Sequence, residues 1–419
     1  MSKVDLDVAA TLPKIDGARL WSDIMTMGAI GATEAGGLYR PALSDSDKDA
    51  RNLFCYWAKE AGLTIEVDKI GNIFARREGL EPDLPPLVIG SHLDTQMPGG
   101  KFDGVLGVLA GLEVLRALNR ANIQTRRPIL IADWTNEEGA RFAGLMGSGV
   151  FGGWMGLEEA LAATDREGKT VANELKRIGY AGEADVVGRP MYKYLELHIE
   201  QGDLLQNAGK LIGAVTNSSF WGGGMIEVKG QNGHSQTAPM SRRCNALIGA
   251  AKLALEIEAI GASQEPVGMV SPTTIDILPN NMVNIPHLAQ LQYLIVHETD
   301  AGREEVISRI RAAMRVVEAD YGVTITDTYR RYRERQDFCP ELIALTEQLS
   351  QELGYGEVMK MPTLTGHDAL NTAFVCPTAI IFVPCKDGVS HCEAEWCEPE
   401  HAFAGAEVLL HAALKISNE

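Results

Sequence analysis

The sequence predicts an α/β protein: a mixed-sheet domain interrupted by an inserted two-layer α+β domain. Three observations carry that prediction. Apolar strands alternate with helical patterns through the first half of the 419-residue chain. Polar clusters recur at the ends of those strands, where open α/β sheets place their active sites. From about Ile212 to Thr326 the rhythm changes to strand, helix, strand, strand, helix, strand, a βαββαβ order. Residues 1–211 and 328–419 are therefore expected to form the main domain, and 212–327 the insertion.

Each element has its own signal. Arg51–Gly62 reads as a helix ending at glycine, and Thr64–Val67 and Asn72–Ala75 as strands. Pro86-Leu87-Val88-Ile89-Gly90 is an apolar run of buried-strand length, and Val105–Asn119 carries apolar residues at helical spacing. Ile129–Trp134 is a buried strand followed by Asn136-Glu137-Glu138-Gly139, and Tyr194–His198 another that ends in Glu200-Gln201-Gly202. In the insertion the strands are Met225–Lys229, Thr273–Leu278, Leu288–His297 and Thr324–Tyr329, with helices Arg242–Ile260 and Arg303–Tyr321. From about Arg330 the α/β pattern resumes, including a strand at Ala379–Val383.

Bulk composition narrows the function. Apolar content of 45% and charged content of 22% are those of an ordinary globular protein. A net charge of −18 argues against nucleic acid or an anionic membrane as partner. Met1–Asp16, with three Asp and two Lys, has no apolar core of secretory length, and no apolar run is long enough to span a bilayer. Seven cysteines without a CxxC pair fit neither a disulfide framework nor a thiolate zinc cage, which points to a reducing, cytoplasmic setting.

The chemistry sits at the strand ends. His92 and His198 each end an apolar strand, His391 follows Gly388-Val389-Ser390, and Asp103 and Glu138 lie in loops after strands. Imidazole and carboxylate are the ligands of catalytic zinc, and two metals sharing one carboxylate need about this set. Asp94, two residues after His92, is placed to orient that ring. Adjacent carboxylates such as Glu137 and Glu138 do not both stay ionised easily unless a cation holds one. One ligand and one free base is the natural division, with Glu137 carrying a proton from water to the leaving nitrogen. Singly, a strand-end histidine is more often structural and a Glu-Glu pair more often a solvated helix face. Five such residues at strand ends favour a metal site, although the long, irregular intervals leave their convergence open.

Five motifs in register resemble the zinc-dependent carbamoylase family. They are Gly90-Ser91-His92-Leu93-Asp94-Thr95, Gly100-Lys101-Phe102-Asp103-Gly104, Asn136-Glu137-Glu138-Gly139-Ala140-Arg141-Phe142, Glu196-Leu197-His198-Ile199-Glu200-Gln201-Gly202, and Ser390-His391 with Glu395. That family groups N-carbamoyl-L-amino acid hydrolases, allantoate amidohydrolases and β-ureidopropionases, within the aminoacylase and carboxypeptidase superfamily. The resemblance runs from about Thr33 to the C-terminus. It implies a dinuclear metallohydrolase domain whose insertion serves as lid and dimerisation domain. It further implies His92 and His198 on one metal, Glu138 and His391 on the other, Asp103 bridging, Glu137 as base and Asp94 steering His92.

The insertion carries further implied pieces. Gly233-His234, followed by Thr237, Pro239 and Met240, resembles the family's histidine loop, whose histidine stabilises the tetrahedral oxyanion across a homodimer interface. A histidine beside a surface turn is the competing reading of that segment. Asn281–Pro286 resembles an Asn-x-Val-Pro segment and makes Asn284 a candidate substrate contact. Gln201 and, in Gly366-His367-Asp368, His367 are implied contacts near the metals; His367 also reads as a plain turn residue. Zinc is the expected ion, with manganese, cobalt and nickel compatible with the same ligands.

The recognition half departs from the family. Leu294 and Val296 stand where the family strand carries an Asp and an Arg, and valine offers no fork for a carboxylate. Ser235-Gln236, Ala238 and Asn245 alter the histidine loop, and Phe220-Trp221 precede a glycine run. Those two aromatics read as core packing rather than as a substrate stack. The expected activity is hydrolysis of a linear C–N bond in a small N-carbamoyl or related amide, on a substrate differing from a plain N-carbamoyl α-amino acid. The alternatives are an aminoacylase or peptidase-like hydrolase of N-acyl compounds, and a metal-binding scaffold without catalysis. The scaffold reading expects a missing ligand or base, and none is missing. A phosphodiesterase is disfavoured by acidity and the lack of a phosphate cradle.

Overall fold

Strands buried at every position are covered on both faces, and four such strands form the centre of the main sheet. In the computed structural model, which describes residues 13–265 and 267–419, they are Ile129–Asp133, Leu87–Ser91, Lys193–Ile199 and Thr378–Val383, adjacent in that order. All four are parallel and wholly buried. Antiparallel pairings add Ile73–Arg77 and Thr64–Val67 on one side and Gly213–Ser218 on the other, and Met359–Thr363 lies beyond it at the edge, giving a mixed eight-stranded sheet. Helices Val105–Arg120 and Pro399–Ser417 pack together and bury most of their length in this core.

Parallel strands put their C-terminal ends on one edge, so the loops after Ser91, Asp133, Ile199 and Val383 gather there. The mixed α/β architecture is the one the sequence predicts. This unit contains the chain up to Thr216, Phe338–Met361 and His367–Glu419.

The second unit is Asn217–Asp337 with Pro362–Gly366. Its antiparallel sheet runs Thr324–Arg333, Phe220–Lys229, Leu288–His297, Gly268–Leu278, and helices Ala246–Ala262 and Asp300–Tyr321 share its core. Leu291, Tyr293, Ile295 and His297 alternate into that core, which turns Leu294 and Val296 to the opposite face. A short pair, Gly233–His234 with Asn284–Ile285, stands apart from the sheet.

Several boundaries differ from the sequence reading. The unit boundaries fall at 216/217 and 337/338 rather than 211/212 and 327/328, and Thr324–Arg333, before the second of them, runs four residues beyond the expected Tyr329. The first helix of the insertion starts at Ala246, not Arg242. Asn245 caps it by accepting from the Leu247 N–H (3.1 Å), and Met240–Arg242 is a separate 3₁₀ turn. The helix expected from Arg51 begins at Asp45, where Ser44 accepts from the Asp47 N–H (3.1 Å). Phe220 is buried in the second core under the Arg303 guanidinium, 4.3 Å from its ring centre, as core packing requires. The side chain of Trp221 lies outside the described residues. No helix among the described residues is long and apolar enough to cross a membrane.

Candidate metal centre

The edge formed by the parallel strands collects His92, Asp94, Asp103, Glu137, Glu138, His198, Gln201, His367 and His391, all within the first unit. Asp103 lies at their centre. Its Oδ1 is 3.1 Å from His198 Nε2 and 3.5 Å from His92 Nε2, while Oδ2 is 3.3 Å from His391 Nε2. His391 Nε2 is also 3.2 Å from Glu138 Oε2. The donors thus fall into two triplets, His92–Asp103–His198 and Asp103–Glu138–His391, with one Asp103 oxygen facing each.

Backbone carbonyls aim the two buried imidazoles. His92 Nδ1 lies 3.0 Å from the Asp94 carbonyl, and His198 Nδ1 lies 2.9 Å from the Ile199 carbonyl. A carbonyl only accepts, so Nδ1 carries hydrogen in both rings and Nε2 is left facing Asp103. Asp94 therefore steers His92 through its main chain; its carboxylate oxygen is 3.8 Å away. That carboxylate instead accepts from the N–H groups of Glu137 (3.2 Å) and Glu138 (3.3 Å), placing both acids. Glu137 Oε2 comes within 3.5 Å of His92 Nε2. Gly104 adopts φ +66°, and a Cβ there would run into the His92 ring.

Strain marks the outer side of the cluster. Gln201 and His391 hold φ of +60° and +55°, a region few side-chain-bearing residues adopt. Gln201 Nε2 donates to Asp103 Oδ2 at 2.7 Å and lies 3.2 Å from His391 Nε2. His391 is 45% exposed while its partners are buried, so the approach to the cluster is on its side.

The electrostatics are those of a site built for positive charge. Burial pushes the Glu137 carboxyl well above the usual carboxylate range, with Asp368 and Glu138 adding to the effect and His92 opposing it. Burial and the Asp103 charge raise Glu138 to about 7. Against its own burial, Asp103 is held well below the usual range by His198, His391 and His92. His391 rises to about 9, burial being outweighed by Asp103 and Glu138. Acids crowded this closely, facing imidazole Nε2 atoms, fit divalent cations in both triplets.

Sequence reasoning missed the supports around this core. Gln96 holds Glu138, its main-chain N–H donating to Oε1 (3.1 Å) and its side chain to Oε2 (2.9 Å). Glu196 shares a strand face with His198, which the two-residue spacing foreshadowed; it accepts from the Ser91 hydroxyl (3.0 Å) and the Ala369 N–H (2.9 Å). Those bonds occupy Glu196 in the further triplet it forms with His198 and His367. The His367 ring packs edge-on against His198, 4.5 Å between centres, and burial holds its pKa well below that of free imidazole. His234 and Asn284 are elsewhere, paired across the short strands of the second unit.

A family model described as "Peptidase family M20/M25/M40" matches residues 88–415. This chain belongs to that family. Within the family, the chain is 40% identical to an N-carbamoyl-L-amino-acid amidohydrolase of Rhizobium meliloti over 96% of this chain and 97% of that one. It is 30% identical to a ureidoglycolate hydrolase of Arabidopsis thaliana, covering 98% and 89% of the two chains. A crystal structure titled as an amidase of the hydantoinase/carbamoylase family from Burkholderia vietnamiensis superposes with a TM-score of 0.94. That structure is 41% identical and covers 98% of this chain and 99% of its own. The chain is thus an M20 amidohydrolase of the carbamoylase branch, the resemblance its motifs carry.

Proposed function

We propose that this chain hydrolyses the linear C–N bond of a small N-carbamoyl (ureido) or closely related amide at a centre holding two divalent cations. The observation that carries the reading is one carboxylate, Asp103, offering separate oxygens to two donor triplets beside a buried, uncommitted Glu137. His92 and His198 would hold one cation, Glu138 and His391 the other, and Asp103 both. Zinc is the first candidate, with manganese, cobalt or nickel suited to the same donors. Bound there, the cations would supply Lewis acidity toward a carbonyl and lower the pKa of water.

The chain's own groups handle the proton and the pose. Glu137, raised by burial, takes a proton from the attacking water and delivers it to the departing nitrogen. Asp94 fixes Glu137 by bonding its N–H, and Gln201, bonded to Asp103, and His367, packed on the His198 ring, are assigned to substrate contact. His234 is assigned to the oxyanion and Asn284 to substrate, both delivered by the second unit acting as lid and dimerisation domain of a homodimer.

Exposed apolar residues on that unit support the dimer. Met269 and Leu278 lie on the edge strand Gly268–Leu278, and Ile248 and Leu255 on the helix Ala246–Ala262. The net charge of −18 favours neither nucleic acid nor membrane, and a cytoplasmic location fits the seven free cysteines among the described residues. A second reading, an N-acyl amino acid aminoacylase or peptidase-like hydrolase, is favoured by the peptidase family match itself.

A panel of ureido and N-acyl compounds, with and without carboxylates, separates the two on zinc-loaded protein. Ammonia release from ureido substrates is expected; a free carboxylic acid from N-acyl substrates with no ammonia would establish the second reading.

A further inference from the structure

We infer that Glu395 is a positioning residue for the shared ligand, gripping the main chain of Asp103 and so tying the two ligand loops into one rigid site. The inference rests on the reading of Asp103 as the carboxylate common to both cations.

Glu395 sits four residues after His391, in a loop closed where the Lys386 N–H donates to the Trp396 carbonyl at 2.8 Å. Its side chain is buried, and Oε1 accepts from the N–H of Phe102 (2.9 Å) and of Asp103 (3.0 Å). Two donors on one oxygen fix the orientation of the peptide from which the Asp103 side chain projects. The contact spans 292 residues of sequence and links the segment carrying His391 to the segment carrying Asp103.

Packing on every side keeps the carboxylate there. A Cβ on Gly100 would overlap the Glu395 carboxyl, so this close approach needs glycine. Trp21, Phe102 and Trp396 form a mutual aromatic cluster, 5.3–5.6 Å between ring centres, around the two residues that flank the contact. Meanwhile Oε2 is buried with no hydrogen-bond partner among the described residues. An unpaired buried oxygen costs stability, so a carboxylate at this point is poorly explained by fold stability alone. Holding a ligand's backbone in register accounts for it.

The test is zinc affinity, measured by competition with a chromophoric chelator, together with the visible spectrum of the cobalt(II)-loaded protein. Glu395→Ala is expected to weaken zinc binding about 10-fold or more, in the range seen when groups supporting metal ligands are removed. It should also shift the cobalt bands. Gly100→Ala should do the same, because its new methyl group displaces the same carboxyl. Glu395→Gln keeps an oxygen for both N–H groups and is expected to stay within about 3-fold of wild type. Melting of the zinc-free variants separates this from loss of fold: a merely structural residue lowers Tm and leaves the cobalt spectrum of the folded protein unchanged.

If Glu395→Ala fails to fold, the contrast between Gly100→Ala and Glu395→Gln still decides. Wild-type affinity and spectrum in both Glu395→Ala and Gly100→Ala would overturn the role of Glu395 alone. Wild-type protein that takes up no zinc would instead overturn Asp103 as a ligand, and the role of Glu395 with it.

Discussion

The two units differ in how firmly they hold their functional side chains. In the first, His92, His198 and Asp103 are buried, and carbonyls, amides and Gln96 direct the ligand cluster. In the second, His234 is exposed on a strand of two residues, and Met282, just before the partner strand Asn284–Ile285, is 96% exposed. His234 and Asn284 pair there, and Asn284 Nδ2 donates to Asn232 Oδ1 at 3.0 Å, an exposed bond. The difference teaches that a buried sheet edge fixes its polar side chains through bonds to the main chain, whereas two-residue strands leave theirs at the surface.

The largest effect should come from the rigid side. Glu137→Gln keeps shape and hydrogen-bonding reach but removes the base, so kcat should fall by about 10³-fold with zinc content unchanged. Residual activity near wild type would move the base elsewhere. His234→Ala probes the exposed side and should lower kcat by about 10²-fold while leaving zinc content untouched. An unchanged kcat would leave His234 as the surface-turn histidine its segment also allows.

Smaller effects sharpen the comparison. Val296 stands on the sheet face turned away from the helices, in register with Trp221 and, one strand further, with Arg333. Val296→Arg should raise kcat/KM for an N-carbamoyl α-amino acid about tenfold and leave a carboxylate-free ureido substrate little changed. High activity of the wild type on ordinary N-carbamoyl-L-amino acids would mean the carboxylate is held by another group.

The smallest effect concerns stability in the first unit. Asp68 is buried and accepts from Ile70, Asn72 N–H and Asn72 Nδ2, yet burial raises its pKa to about 7. A carboxyl with a folded pKa above its unfolded value of about 3.9 favours the folded state most at low pH. That contribution is lost as pH rises from about 4 to 7 and is flat above. The Tm advantage of wild type over Asp68→Asn should therefore shrink between pH 4.5 and pH 7.5; a constant difference would show that Asp68 does not titrate in that range.

What the sequence made legible follows the same division. His92 and His198 announced themselves because an apolar run ending in a polar residue marks the end of a buried strand, and parallel strands share an edge. Pairing across the sheet then brings 92, 138, 198 and 391 together, which spacing alone does not reveal. Glu395, Gln96 and the carbonyl of Asp94 escaped notice as structural partners, since their roles lie in contacts to distant main chain rather than in a local pattern.

The same reason explains the misplaced boundaries. Asp45-Ser46-Asp47-Lys48-Asp49 has no apolar period, and only the Ser44 cap shows that the helix starts there. Thr324–Arg333 is largely polar, and pairing with Phe220–Lys229 rather than hydrophobicity carries it past Tyr329.

The central claim is that Asp103 serves two cations at once, and zinc content per chain tests it most directly. After loading with zinc and gel filtration, wild type is predicted to retain two equivalents and Asp103→Ala fewer than one, because both triplets lose a ligand together. A variant that keeps two equivalents, or that gives up only one, would contradict the account.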